Sequence, residues 1–287
     1  MNRNLAISCL LALSLLISFA GHEVYAEELE LVNRPINTTG LTGLLLTTAP
    51  YTLPPKTVEV GGAVLYESSV RPDYSITELP LIISAGVGKN MEIGLRGSYY
   101  SIKEGPTATA INIHGTGDIQ LSYKWNFMPQ AEYSRVPGLS LLITGIIPVE
   151  DDVNKKLDSV THWGLRAGLS TGTELSWKEH ILGIYADAQI AGQDFTEDRL
   201  RDVYGMFNVG LLYPISKYQN LQILVEYSIV NGKDKISLIG GDYTALTFGI
   251  RLVSERFNLT MGTQYLHKQV ENYDNSSRVI GLMSMKF

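Results

Sequence analysis

Cysteine is all but missing. The 287 residues contain one, Cys9, inside an N-terminal hydrophobic run. Once that run is removed no thiol remains, which excludes disulfide frameworks, cysteine-based metal sites and cysteine nucleophiles. Long apolar stretches are missing as well. After Leu5–Phe19 nothing approaches the roughly 20 apolar residues that a membrane-spanning helix needs. Charge of one sign is nowhere concentrated: the net charge of −6 comes from 23 basic and 29 acidic residues without a block of either. That pattern argues against nucleic acid as a partner.

Catalytic signatures are absent too. None of the five histidines forms a His-x-x-x-His pair, and Gly168-Leu169-Ser170-Thr171-Gly172 has the letters of a Gly-x-Ser-x-Gly elbow but falls inside an alternating strand pattern rather than at a strand-to-helix turn. His162-Trp163-Gly164 and His114-Gly115-Thr116 lack the serine of the His-x-Ser pair carried by barrel phospholipases. Gly86-Val87-Gly88-Lys89-Asn90 has a phosphate-loop look, but Ile83 stands where the first glycine belongs and Asn90 where a hydroxyl would meet magnesium. It reads as a hairpin turn. Glu150-Asp151-Asp152 with Asp158 reads as a solvated loop, the alternative being a divalent-cation site against lipopolysaccharide. The expectation is a non-enzyme with no cofactor and no metal.

What is present begins with Arg3, the run Leu5–Phe19 and then Val24-Tyr25-Ala26. A basic start, a short apolar core and small residues before a cleavage point make a secretory signal peptide, residues 1–26. Removing it leaves 287 − 26 = 261 residues. Residues 27–56 follow, with Gly40–Leu46 and then Ala49-Pro50-Tyr51-Thr52-Leu53-Pro54-Pro55, whose prolines stop any long element. This segment is expected either in the periplasm or tucked into a lumen.

From residue 57 to 287 one pattern repeats. In Gly117–Phe127 the odd positions Ile119, Leu121, Tyr123, Trp125 and Phe127 are apolar, and the even positions Asp118, Gln120, Ser122, Lys124 and Asn126 are polar. Strands send alternate side chains to opposite faces, so one face is apolar throughout. Twelve such segments occur, from Thr57–Ser68 to Ser277–Phe287, with Val160–Thr171 as the sixth. Short links such as 88–90, 216–220 and 254–256 alternate with long ones such as 103–116, 149–159 and 231–242. Met128–Pro137 and Gly172–Lys178 are longer than the other short links.

An even number of strands with short periplasmic turns and long external loops is the arrangement of bacterial outer-membrane barrels. The predicted fold is therefore all-β: a single antiparallel transmembrane β-barrel of 12 strands with periplasmic termini. Running the strands alternately up and down puts Phe127, Tyr213, Phe257 and Phe287 at the periplasmic rim, and Tyr66, Tyr99, Trp163, Tyr227 and Tyr265 at the outer one. Two aromatic belts are what a bilayer favours. The chain closes on Val279, Gly281, Met283, Met285 and Phe287, a terminal-aromatic pattern suited to barrel assembly machinery.

Twelve tilted strands enclose a lumen about 24 Å across between backbones. The side chains expected to line it are Glu92, Arg96, Asp118, Lys124, Arg166, Asp187, Glu226 and Arg251, with Arg278 and Lys286. Mixed signs do not make a strongly selective pore. Arg166 and Asp187, on neighbouring strands at similar depth, are placed to pair; the lining charges then neutralise one another and rigidify the wall, the alternative being direct contact with cargo. Leu142, Ile146, Leu224, Leu266, Ile280 and Leu282 also point inward, against the polar rule. They imply missed bulges, a partly packed lumen or an amphipathic cargo.

Gly115-Thr116-Gly117-Asp118-Ile119, then Lys124-Trp125 and Gly138-Leu139 leading to Pro148, resemble a group of Gram-negative outer-membrane barrels labelled as belonging to a meta-pathway of phenol degradation. Tyr51-Thr52-Leu53-Pro54 leading into Glu59-Val60-Gly61 is similar to the approach to that group's first strand. The resemblance implies transport of small aromatic or hydrophobic compounds and carries over no catalytic residue. The sequence thus points to an outer-membrane channel that passively admits small solutes, amphipathic or aromatic ones included. Its partners would be outer-membrane lipids and lipopolysaccharide, the assembly machinery through Phe287, and the solute. The alternative is a non-conducting structural or surface-binding barrel.

Overall fold

The computed structural model describes residues 34–69, 73–105, 111–130, 136–149, 163–177, 180–193, 203–215, 220–231, 242–268 and 275–287. The expected signal peptide, the acidic cluster at 150–158 and His162 lie outside them. The strands are β1 (Val58–Ser69), β2 (Tyr74–Gly88), β3 (Met91–Glu104), β4 (Ile111–Thr116), β5 (Ile119–Met128), β6 (Gly138–Ile147) and β7 (Gly164–Trp177). They continue with β8 (His180–Gln193), β9 (Tyr204–Pro214), β10 (Leu221–Asn231), β11 (Tyr243–Val253), β12 (Phe257–Lys268) and β13 (Ser276–Lys286). No helix long and apolar enough to cross a membrane occurs among the described residues.

Apart from β4 and β5, each strand pairs antiparallel with the next in sequence, β3 pairs with β5, and β1 pairs with β13, so the sheet closes on itself. Closure removes the free edges that an open sheet would expose. The last residue takes part in it: Phe287 N donates to Val58 O at 2.8 Å and Val58 N to Phe287 O at 3.1 Å.

Thirteen segments make twelve walls because β4 and β5 share one partner. Residues 111–116 pair with 99–104 of β3, and 119–128 begin by pairing with 91–96. Between the pairs Arg96↔Gln120 and Tyr99↔Thr116, β3 has two residues where its neighbour has three. The extra residue is a bulge, and it flips which parity faces outward. Below it Ile119, Leu121 and Trp125 are exposed; above it Asn112, His114 and Thr116 are. The expected loop over 103–116 is therefore largely strand, and His114 sits on β4 opposite Ser101. Gly117 suits the bulge, since a Cβ there would lie 2.4 Å from the Tyr100 ring.

A second difference falls at the sixth predicted strand. The structure has Gly164–Trp177, and β8 starts at His180, so the expected seven-residue link shrinks to residues 178–179. The 88–90 link is the expected hairpin, with Asn90 in the left-handed region at φ 63°, where Asn is tolerated better than most residues. One rim of the barrel therefore carries the links 89–90, 129–137, 178–179, 215–220 and 254–256. The opposite rim carries most of the longer links, among them 148–163, 194–203 and 232–242.

The outer surface is apolar, with Leu81, Leu121, Phe248, Ile250, Met261 and Met283 each more than half exposed. All nine aromatics assigned to the two belts face outward. Hydrocarbon, not water, is the solvent such a surface fits.

Candidate functional site

The lumen is filled by the chain's own N-terminal segment. Residues 34–53 leave the start of β1 and fold back inside the barrel, in the half nearer the short turns. Ile36, Leu44, Leu45, Ala49, Tyr51 and Leu53 are buried against Ala63, Leu65, Ile82, Tyr185, Leu212, Leu224, Ile280 and Leu282 of the wall. Three of the inward aliphatics that broke the polar rule, Leu224, Ile280 and Leu282, pack here. Of the three explanations for them, packing accounts for these.

Charged wall residues hold the segment by its backbone. Three successive amides, Leu45, Leu46 and Thr47, donate to the Glu226 carboxylate at 3.2, 3.1 and 2.7 Å. Thr48 N donates to Asp187 at 2.8 Å, and Thr42 N to Glu92 at 2.8 Å. From the cationic side, Arg96 Nε donates to Thr38 O at 2.8 Å, Arg251 Nη1 to Gly43 O at 3.1 Å and Lys124 Nζ to Thr42 O at 3.2 Å. Lys124 also pairs with Glu92 at 2.7 Å, both side chains fully buried. A short segment without regular structure has many amides and carbonyls to satisfy, and the wall supplies the partners water would otherwise provide.

Close approach needs missing side chains. A Cβ on Gly94 would lie 2.1 Å from Gly40 O, and one on Gly262 would lie 2.6 Å from Leu45 Cδ1. At the lower end Arg34 pairs with Glu174, its guanidinium carbon 3.6 Å from the Tyr51 ring centre. Tyr51 meets Tyr185 edge-on at 6.3 Å.

Of the eight residues expected to line the lumen, Glu92, Arg96, Lys124, Asp187, Glu226 and Arg251 contact the segment. The other two sit elsewhere on the wall. Asp118, beside the bulge, accepts from Val149 N at 3.3 Å. Arg166 lies nearer the long-connection rim. Its expected pairing with Asp187 does not form: Arg166 is opposite Ala191 and Asp187 opposite Ser170, four residues further along β7. At about 3.3 Å per residue the two are separated by some 13 Å along the strand. Asp187 is bonded instead to Thr48, Gln189 and Asn208.

Sequence reasoning missed Glu59, Glu67, Glu78, Glu174 and Arg34. Glu59 and Glu67 share the parity of the inward Ala63 and Leu65, a signal that was there to be read. Glu67 pairs with Arg278 at 2.6 Å and Lys268 at 3.0 Å, and Glu78 with Arg96. Glu67, Glu78 and Arg278 line a chamber of about 200 Å³ on the long-connection side of the segment, together with Arg166, Tyr100, Tyr204, Met206, Val230 and Tyr243.

No family model matches the chain, and no curated protein matches it. Among solved structures it is similar to the COG4313 outer membrane channel from Pseudomonas putida F1. The TM-score is 0.60 at 12% identity over 83% of this chain and 97% of that one. The fold is an outer-membrane β-barrel. At this identity the likeness establishes the barrel fold and nothing finer. The translocator domain of the autotransporter NalP from Neisseria meningitidis aligns at TM-score 0.48 and 12% identity, over 80% of this chain and 88% of that one. The toluene transporter TodX from Pseudomonas putida aligns at 0.43 and 9%, over 89% and 98%. Both are barrels too, at scores that carry no argument.

Proposed function

We propose that the chain is a channel in the outer membrane of a Gram-negative bacterium, passively admitting small amphipathic or aromatic solutes. One observation carries this reading. The lumen is occupied by a length of chain continuous with β1 and held to the wall by hydrogen bonds, an ion pair and apolar packing, while a chamber stands open above it. A barrel built only as a wall can fill its interior with wall side chains. In this reading Glu92, Arg96, Asp118, Lys124, Arg166, Asp187, Glu226 and Arg251 line the path once the segment shifts, and none of them is catalytic. The channel named in the P. putida match supports the reading by fold. The phenol-pathway resemblance supports an aromatic cargo without identifying one. Phe287, paired with β1, is the residue offered to the assembly machinery, and the apolar belt faces lipid and lipopolysaccharide.

The buried Lys124–Glu92 pair favours a second reading, a non-conducting barrel stabilised by a permanent filling. Conductance of refolded Glu27–Phe287 in a planar bilayer decides between them. The channel reading expects discrete openings, larger once residues 27–55 are deleted. If the deletion prevents assembly, Glu226→Gln provides a loosened segment in an intact chain. Silence from all three proteins refutes the channel and leaves the structural barrel.

A further inference from the structure

The chamber above the segment has a chemistry of its own. Its two acids are committed, Glu67 to Arg278 and Lys268, and Glu78 to Arg96 and, at 2.8 Å, to Ser98. Arg166, across the chamber, is not. Its Nε is buried with no hydrogen-bond partner, and among the described residues its guanidinium makes no ion pair. Two carboxylates, Glu67 and Glu78, and two guanidiniums, Arg166 and Arg278, line this space, and both carboxylates are paired with cations other than Arg166. A guanidinium left without a partner in a partly desolvated wall is costly, and a planar carboxylate satisfies it with two parallel hydrogen bonds.

The rest of the lining is apolar or aromatic. Tyr204, Val230 and Met206 form one cluster with Tyr243 and Ala191, and Tyr100 packs with Tyr74, Ile76 and Ile102 on the other side. A cavity of about 150 Å³ lined by apolar side chains already accepts benzene, and this one measures about 200 Å³. Gly117 keeps the Tyr100 ring where it is, since any side chain there would displace it.

We infer that this chamber is a binding site for a small aromatic carboxylate, with its carboxylate on Arg166 and its ring among Tyr204, Tyr243 and Met206. The site rests on the channel reading only for how the ligand arrives. A neutral phenol would fill the apolar part and leave Arg166 unsatisfied. An aromatic ammonium would find both carboxylates already paired and would face the Arg166 guanidinium. The chamber therefore selects by charge after selecting by shape.

The test is isothermal titration of the folded barrel in detergent with benzoate, phenol and benzylammonium. Benzoate is expected to bind at least tenfold more tightly than phenol, and benzylammonium to give no heat. Arg166→Gln is expected to weaken benzoate at least tenfold while leaving phenol unchanged, and Arg166→Lys to fall between. Equal binding of benzoate and phenol, no benzoate binding at millimolar concentration, or indifference to Arg166→Gln each overturns the inference. If Arg166→Gln does not fold, Val230→Trp fills the space, and unchanged benzoate binding by that variant is the overturning result. Conductance without benzoate binding would leave the channel and remove the site. Binding without conductance would keep the site and remove the channel.

Discussion

At the scale of single residues, the wall charges act as anchors rather than as a screen. Glu226 accepts three backbone amides, a geometry that needs both carboxylate oxygens. In Glu226→Gln an NH2 group faces those donors, and hydrogen bonds to a charged group, each worth roughly 1.5–3 kcal/mol, are lost. The segment then loosens around Leu45–Thr47. The expected outcome is a lower thermal unfolding midpoint and more frequent openings in bilayer recordings than the parent shows. Lys124→Met strands the Glu92 carboxylate in a buried site, and breaking such a pair costs about 3–5 kcal/mol. Adding Glu92→Gln should recover part of that loss. Urea unfolding followed by gel mobility of the folded and unfolded barrel measures both steps, and an additive double variant would show that the pair is not coupled.

At the scale of elements, the strands were legible where parity stays constant. Residues 119–127 show it plainly: the outward Ile119, Leu121 and Trp125 alternate with the inward Ser122, Lys124 and Asn126. Residues 111–116 escaped because the bulge at 117–118 reverses parity. There Asn112 and His114 face outward and Ile113 packs inward against Ile102. A period-2 search started below the bulge meets the wrong face above it and stops. The N-terminal segment was left between periplasm and lumen for a different reason. Its contacts run largely through its own amides and carbonyls, and every residue other than proline carries both, so no side-chain pattern marks them. What did mark it were the wall aliphatics with nothing evident to pack on.

Two element-scale outcomes follow. Asn90→Ala forces an ordinary side chain into the left-handed region, at about 1–2 kcal/mol, whereas Asn90→Gly keeps the hairpin. Comparing their unfolding midpoints checks the turn. Gly94→Ala drives a methyl group toward Gly40 O, so the segment must withdraw. The expected sign is faster proteolytic cleavage within residues 34–53 of the folded barrel, and unchanged cleavage would contradict the contact.

At the scale of the whole molecule, the two rims differ in link length, and the polarity of the barrel in its membrane follows from that difference. The absence of thiols beyond Cys9 makes single-cysteine mapping clean. Asn275→Cys, at the long-connection rim, is expected to react with an impermeant maleimide on intact cells. Asn220→Cys, at the short-turn rim, is expected to react only after the outer membrane is permeabilised. The reverse labelling would invert the barrel.

The segment that fills the lumen also touches nearly the whole circumference. Its partners lie on β1, β3, β5, β7, β8, β10 and β11, up to 208 residues away along the chain. A wall already sealed between β1 and β13 would have to admit this strip end-on and place every anchor by threading. A wall still open at that seam can instead be laid strand by strand around it, each new strand gaining a partner for its buried charge as it arrives. In that order the strip would act as a mandrel, setting the girth of the cylinder before the last strand locks. Because so many of its contacts are distant in sequence, forming them is slow. The seam between β1 and β13 and the contacts of the filling are thus built from the same far-apart stretches of chain.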